Sequence, residues 1–128
     1  DSFISLVDGK ALLHLRNVGT RGIVIIGFEI EGLGRVEKVE LGSSIGLFGN
    51  GIWIDKRSGE VGLNAGGEGY VVLYLGNATS SIRVGEEYVL LIHIKGHGVV
   101  RARLRAEARP IPVRNLSTVT VTETLSNT

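Results

Sequence analysis

The sequence predicts an all-β fold, an antiparallel β-sandwich of Ig-like or jelly-roll-like type with a detached C-terminal strand. Three observations predict it. Val, Ile, Leu and Gly dominate the chain, and 19 glycines punctuate its short apolar runs. Period-two alternation of apolar and polar residues recurs, whereas no window places apolar residues at i, i+3, i+4 and i+7. About eight short strands, with turn signals roughly every 8–12 residues, form the pattern of a sandwich or a barrel.

The strands are expected in the following order. Phe3 to Val7 leads into the turn Asp8-Gly9, a hairpin signal. Ala11 to Arg16 puts Ala11, Leu13 and Leu15 on one face and ends at the turn Asn17-Val18-Gly19-Thr20. Ile23 to Ile30 directs Val24, Ile26, Phe28 and Ile30 inward. Ile23 and Ile25 make this strand apolar on both faces, as in a central or covered strand. Arg35 to Leu41 is more polar and edge-like. Gly51 to Asp55 carries the single tryptophan, Trp53, which is expected to serve the core. Tyr70 to Leu75 is apolar on both faces, and Ser81 to Val84 is short.

Tyr88 to Lys95, the turn Gly96-His97-Gly98 and Val99 to Ala108 read as one long hairpin. Val100, Ala102, Leu104, Ala106 and Ala108 face one way, and Arg101, Arg103, Arg105 and Glu107 the other. That is the alternation of an antiparallel sheet with one wet face. The expected core comprises Val24, Ile26, Phe28, Leu90, Ile92, Ile94, Val100 and Leu104. Pro110 and Pro112 break the pattern, since proline cannot donate to a ladder and is kept out of central strands. Beyond them, residues 117–125 read Ser-Thr-Val-Thr-Val-Thr-Glu-Thr-Leu, a β-prone alternating segment. The expected organisation is therefore a body over 1–108, a Pro-containing linker over 109–116 and a strand or tail over 117–128.

Composition narrows the function. The 128 residues are 43% hydrophobic and 21% charged, the balance of a globular domain. A net charge of +1 supplies no global pull on nucleic acid or anionic membrane. The absence of cysteine removes disulfides, thiolate nucleophiles and Cys-type zinc sites. No apolar run reaches the roughly 18 residues of a membrane helix, so direct membrane insertion by this chain is not expected. The chain starts at Asp1 without Met, and residues 1–9 do not read as a signal peptide. A further upstream segment, cleaved or simply outside this sequence, is the corresponding expectation.

No catalytic set can be assembled. His14 and His93 alternate with core residues, and His97 lies in a Gly-flanked turn, so three or four converging metal ligands are missing. Ser43-Ser44 and Ser80-Ser81 have no evident base. The glycines at 42, 46, 49 and 51 lack the Lys-Ser/Thr ending of a phosphate cradle. No enzyme activity and no cofactor are expected, and the sequence leaves open only calcium held by loops from different strands. Arg101, Arg103 and Arg105 form an anion or partner stripe on one reading and the charged outer face of an edge strand on the other. The second is favoured because stacking aromatics are missing nearby, which also argues against nucleic acid. Asn77-Ala78-Thr79 and Asn115-Leu116-Ser117 are sequons, making Asn77 and Asn115 candidate glycan acceptors.

Leu13-His14-Leu15-Arg16-Asn17-Val18-Gly19-Thr20, followed by the apolar run Ile23 to Ile30, resembles the opening of archaeal type IV pilin and archaellin-like head domains. Arg83-Val84-Gly85-Glu86-Glu87-Tyr88-Val89-Leu90 is similar to the Gly-Glu-x-Tyr corner of the same domains and of many Ig-like sandwiches. The resemblance spans residues 5–108. It implies an extracellular or cell-surface filament subunit, pilus-like or tubular, and an archaeal source. High Val, Ile, Arg and Glu without Cys or Met fits a hot habitat. The chain departs from those pilins in lacking their long apolar N-terminal helix. The alternating tail offers another means of assembly. Val119, Val121 and Leu125 lie on one side of it and would anchor a donor strand in a neighbouring subunit's sheet, giving a homo-oligomer or filament; on the contrary reading the tail folds back as one more strand of its own sheet. The alternative is an adhesive or accessory module for a glycan or surface-layer protein.

Overall fold

The computed structural model describes residues 2–112. Its elements are β1 (Phe3–Ser5), β2 (Lys10–Arg16), β3 (Ile23–Ile30), β4 (Gly34–Arg35), β5 (Lys38–Leu41), β6 (Asn50–Ile54), β7 (Val61–Tyr74), β8 (Glu87–Ile94) and β9 (Gly98–Glu107). Two short 3₁₀ turns, Gly42–Ile45 and Gly76–Ser81, join them. The expected hairpins are present. β1 and β2 pair antiparallel around Gly9, whose φ of 66° suits glycine. β8 and β9 pair from Glu87↔Arg105 to Ile94↔Gly98.

The architecture corrects the expected sandwich. The strands close into a six-stranded barrel in the order β3-β8-β9-β1-β2-β7, with β7 returning to β3. β4, β5 and β6 lie outside that circuit, on β3 and β7. Two features convert the alternating strands into a closed sheet. The first is β1, which pairs parallel to β9 in the register Phe3↔Arg105, Ile4↔Ala106, Ser5↔Glu107 and so joins the first and last described strands. The second is β7, which begins against β3 and β6 and ends against β2 and β5. It changes partners around Asn64–Gly67, where Gly66 takes a φ of 74°. At Gly67 a side chain would strike the Gly51 and Asn64 carbonyls, so the bend needs glycine. Alternation alone does not separate a sandwich from a barrel, because both bury every second residue.

Half of the expected core is inside. Phe28, Leu90, Ile92 and Leu104 are buried, together with Ile4, Leu13, Val61 and Leu73. Ile26 is not, at 45% exposed. A bulge between Ile25 and Gly27 puts one extra residue into β3. The inward face therefore runs Ile25, Phe28, Ile30, and Val24 is only half-buried, because one inserted residue flips the alternation. Ile94 is also half-buried. Trp53 is 44% exposed and lies flat over Gly62 on the barrel exterior, where a Cβ would fall 2.0 Å from its ring. The expected strand Arg35–Leu41 is split between β4 and β5, which pair with different strands. Ser81–Val84 is not a strand.

Three local devices fix the connections. Asn17 is buried after β2, and its Nδ2 donates to the carbonyls of Arg21, Leu63 and Asn64 at 2.8, 3.2 and 3.1 Å. Its Oδ1 accepts from the Gly19 N–H, so one side chain ties this turn to the bend of β7. Tyr88 forms the corner before β8, where its Oη accepts from the Arg83 N–H at 2.8 Å and donates to Glu86. Finally, Arg109–Ile111 folds back over the outer face of β1. Ser5 Oγ donates to the Arg109 carbonyl at 2.7 Å, the Arg109 guanidinium stacks 3.7 Å from the Phe3 ring centroid, and the Ile111 N–H donates to Asp8 at 2.7 Å. Ile111 is 5% exposed and completes a second, exterior apolar cluster with Phe3, Leu12 and Val72.

Candidate functional site

The outward faces carry the polar chemistry, arranged in cross-strand rows. Tyr74 stands between Lys10 of β2 and Lys38 of β5, both its ladder partners. The two ammonium groups lie 4.7 and 4.5 Å from its ring centroid. Its hydroxyl donates to Glu40. That bond, helped by the charge of Lys38, holds the Glu40 carboxyl below the usual carboxylate range despite some burial. Hydrogen bonding to Glu40, together with burial, raises Tyr74 above the ordinary phenol value. Beside this row an open groove of about 750 Å³ runs between β5 and the Asp55–Gly59 turn, lined by Lys38, Glu40, Ser44, Asp55 and Arg57 among others. Its charges alternate in sign, and no serine in it has a histidine neighbour for activation.

His14 pairs with Glu68 at 2.8 Å and tilts against Tyr70, and His93 pairs with Glu29 at 3.0 Å. Each is an isolated, half-exposed pair. Among the described residues no three of His, Cys, Asp or Glu converge on one point. No helix among them is long and apolar enough to cross a membrane.

Arg101, Arg103 and Arg105 all lie exposed on the outer face of β9, as the alternation predicts. They do not act together as a built site. Arg101 reaches Glu31 at 2.8 Å, and the ladder sets Arg103 opposite Val89 and Arg105 opposite Glu87. Asn77 is exposed in the second 3₁₀ turn. Asn115, Val119, Val121 and Leu125 lie outside the described residues.

The feature that sequence reasoning missed is an edge. β9 is ten residues long, but β1 covers only Arg105–Glu107 of it. Among the described residues no strand lies along residues 98–104 on the side away from β8. Ala106 bonds toward Glu86, so Arg105, Arg103, Arg101 and Val99 turn their N–H and C=O groups to the other side. Across the gap β2 is equally uncovered beyond Leu12, except that the His14 N–H donates to Ser2 Oγ at 2.9 Å. Val100 records the consequence. Its alternation points it to the barrel interior, yet it is 48% exposed, whereas its ladder partner Ile92 is 5% exposed. This corrects Val100 as a core residue.

Sequence comparison adds no relative. No protein-family model matches the chain, and no curated protein matches it.

Proposed function

We propose that this protein is a structural subunit of an extracellular filament that joins its copies by β-strand addition. The observation that carries the reading is the β-prone alternation of residues 117–125, set off from the body by Pro110 and Pro112. An unpaired strand edge is a template for another chain. The alternating segment 117–125 supplies a strand of the right chemistry, with Val119, Val121 and Leu125 on one side.

Deleting residues 115–128 tests the reading. The truncated body stays folded by circular dichroism, while filaments or oligomers disappear from light scattering and negative-stain images. Assembly that persists unchanged in the truncated chain refutes it and favours the ligand-binding module instead.

A further inference from the structure

We infer that Asn77 is an N-glycan acceptor, carrying on its Nδ2 a sugar chain delivered from a lipid-phosphate donor. The inference rests on the extracellular reading and adds a covalent partner and its atom of attachment.

The sequence and the geometry select the same residue. The described residues contain the asparagines Asn17, Asn50, Asn64 and Asn77, and only Asn77 has a hydroxyl residue two positions on, in Asn77-Ala78-Thr79. A sugar on Nδ2 replaces one of its protons, so the site needs an amide that bonds nothing in the fold. Asn17 fails that test, because it is 6% exposed and its Nδ2 donates to three carbonyls. Asn77 passes it. It is exposed, and among the described residues its side-chain amide makes no hydrogen bond. The neighbouring hydroxyls hold the turn instead. Thr79 Oγ1 donates to the Gly76 carbonyl at 2.8 Å, and Ser80 Oγ donates to the Asn77 carbonyl at 3.0 Å. The turn is thus fixed through its backbone, and the Asn77 amide is left over.

The surroundings leave room for a bulky group. Gly76 opens the turn with a φ of 54° and has open space where a side chain would stand. Beside the turn, a cleft of about 290 Å³ separates it from the link between β4 and β5 and is lined by Leu33, Arg35, Glu37, Lys38 and Tyr74 among others. Arg35, Glu37 and Lys38 are exposed there. The two cations donate and the carboxylate accepts, which suits the hydroxyls of a first sugar. The transfer balances without an oxidant or reductant. Nδ2 displaces the phosphate from the anomeric carbon of a lipid-phosphate-linked oligosaccharide. The N–C bond forms, the C–O bond to phosphate breaks, the phosphate leaves with the lipid, and Nδ2 gives up one proton.

Mass spectrometry of the full chain, taken from the surface fraction of the cells that make it, tests the inference. Trypsin releases residues 58–83 as one peptide, since no Lys or Arg lies between Arg57 and Arg83. That peptide is expected to carry a sugar mass that fragmentation places on Asn77. Asn77→Gln and Thr79→Ala are expected to lose the added mass completely while the chain stays folded. Thr79→Ser, which keeps the sequon hydroxyl, is expected to retain it. A bare peptide from the surface-located chain overturns the inference and leaves the filament reading standing. An added mass that survives in Asn77→Gln also overturns it, because the sugar then sits on a hydroxyl such as Thr79 or Ser80. A chain found only inside the cell overturns the extracellular reading, and the inference falls with it.

Discussion

Tyr74 and Asn17 work by opposite routes. Asn17 holds three carbonyls that would otherwise be stranded between β2 and the bend of β7. Its role in the sequence looked like that of a generic turn former, because two of the three partners lie more than 40 positions away along the chain. Tyr74 acts on charge. Its bond lowers the Glu40 carboxyl, so the stability this pair contributes is present above the ordinary glutamate range and fades as the pH falls through the lowered value. Tyr74 itself is raised, so the same contribution fades again as the pH rises through the raised phenol value. Tyr74→Phe should cost about 0.5–1.5 kcal/mol at neutral pH. The difference from the natural chain should shrink below about pH 4 and above about pH 10. Urea unfolding across pH, with an NMR titration of Glu40 moving back to the ordinary range, checks it.

At the scale of elements, the β8/β9 hairpin was the most legible part of the sequence, because ten residues of unbroken alternation leave one register that buries Leu104 and Ala106. Ile92 sits in it, buried opposite the exposed Val100. Ile92→Ala should cost about 2–5 kcal/mol by denaturant midpoint, as a buried large-to-small change. A loss under about 0.5 kcal/mol would place it on the surface. β3 was misread on one face because a bulge is a single extra residue with no composition of its own. The first half of β7 was missed for a different reason. Four of the nine residues from Val61 to Gly69 are glycine, which erases alternation while permitting the close crossing of β6, at Gly62 beneath Trp53 and at Gly69 against Ile52. The open edge of β9 could not be read from any one strand, since it is a difference between two.

For the whole molecule, closure depends on the first and last described strands meeting. β1 joins β9 across about a hundred residues of sequence, and Arg109–Ile111 then seals the outside of that joint. Ile111→Ala should therefore destabilise the entire barrel, by about 2 kcal/mol, although it stands beyond the last strand. A single cooperative melting transition shifted to lower temperature checks this, whereas a local loss with the main transition unmoved would mean that the segment is only an appendage. So non-local a contact also predicts slow folding, since loop-closure entropy precedes any reward from the pairing. The totals and the alternation established that the chain is β. They were silent on closure, which is decided by a three-residue strand whose partner is parallel.

That parallel joint has a mechanical meaning. β1 runs beside β9 in the same direction, so the chain enters the joint at one end and leaves it at the other. Tension applied between the two ends slides the strands along each other, and their hydrogen bonds are loaded together. An antiparallel joint at the same place would open one bond at a time, like a zipper. In a subunit strung between neighbours, pulling force would thus meet the barrel in its stiff direction, with the Arg109–Phe3 stack and the Ile111–Asp8 bond acting as a latch across the sliding surface.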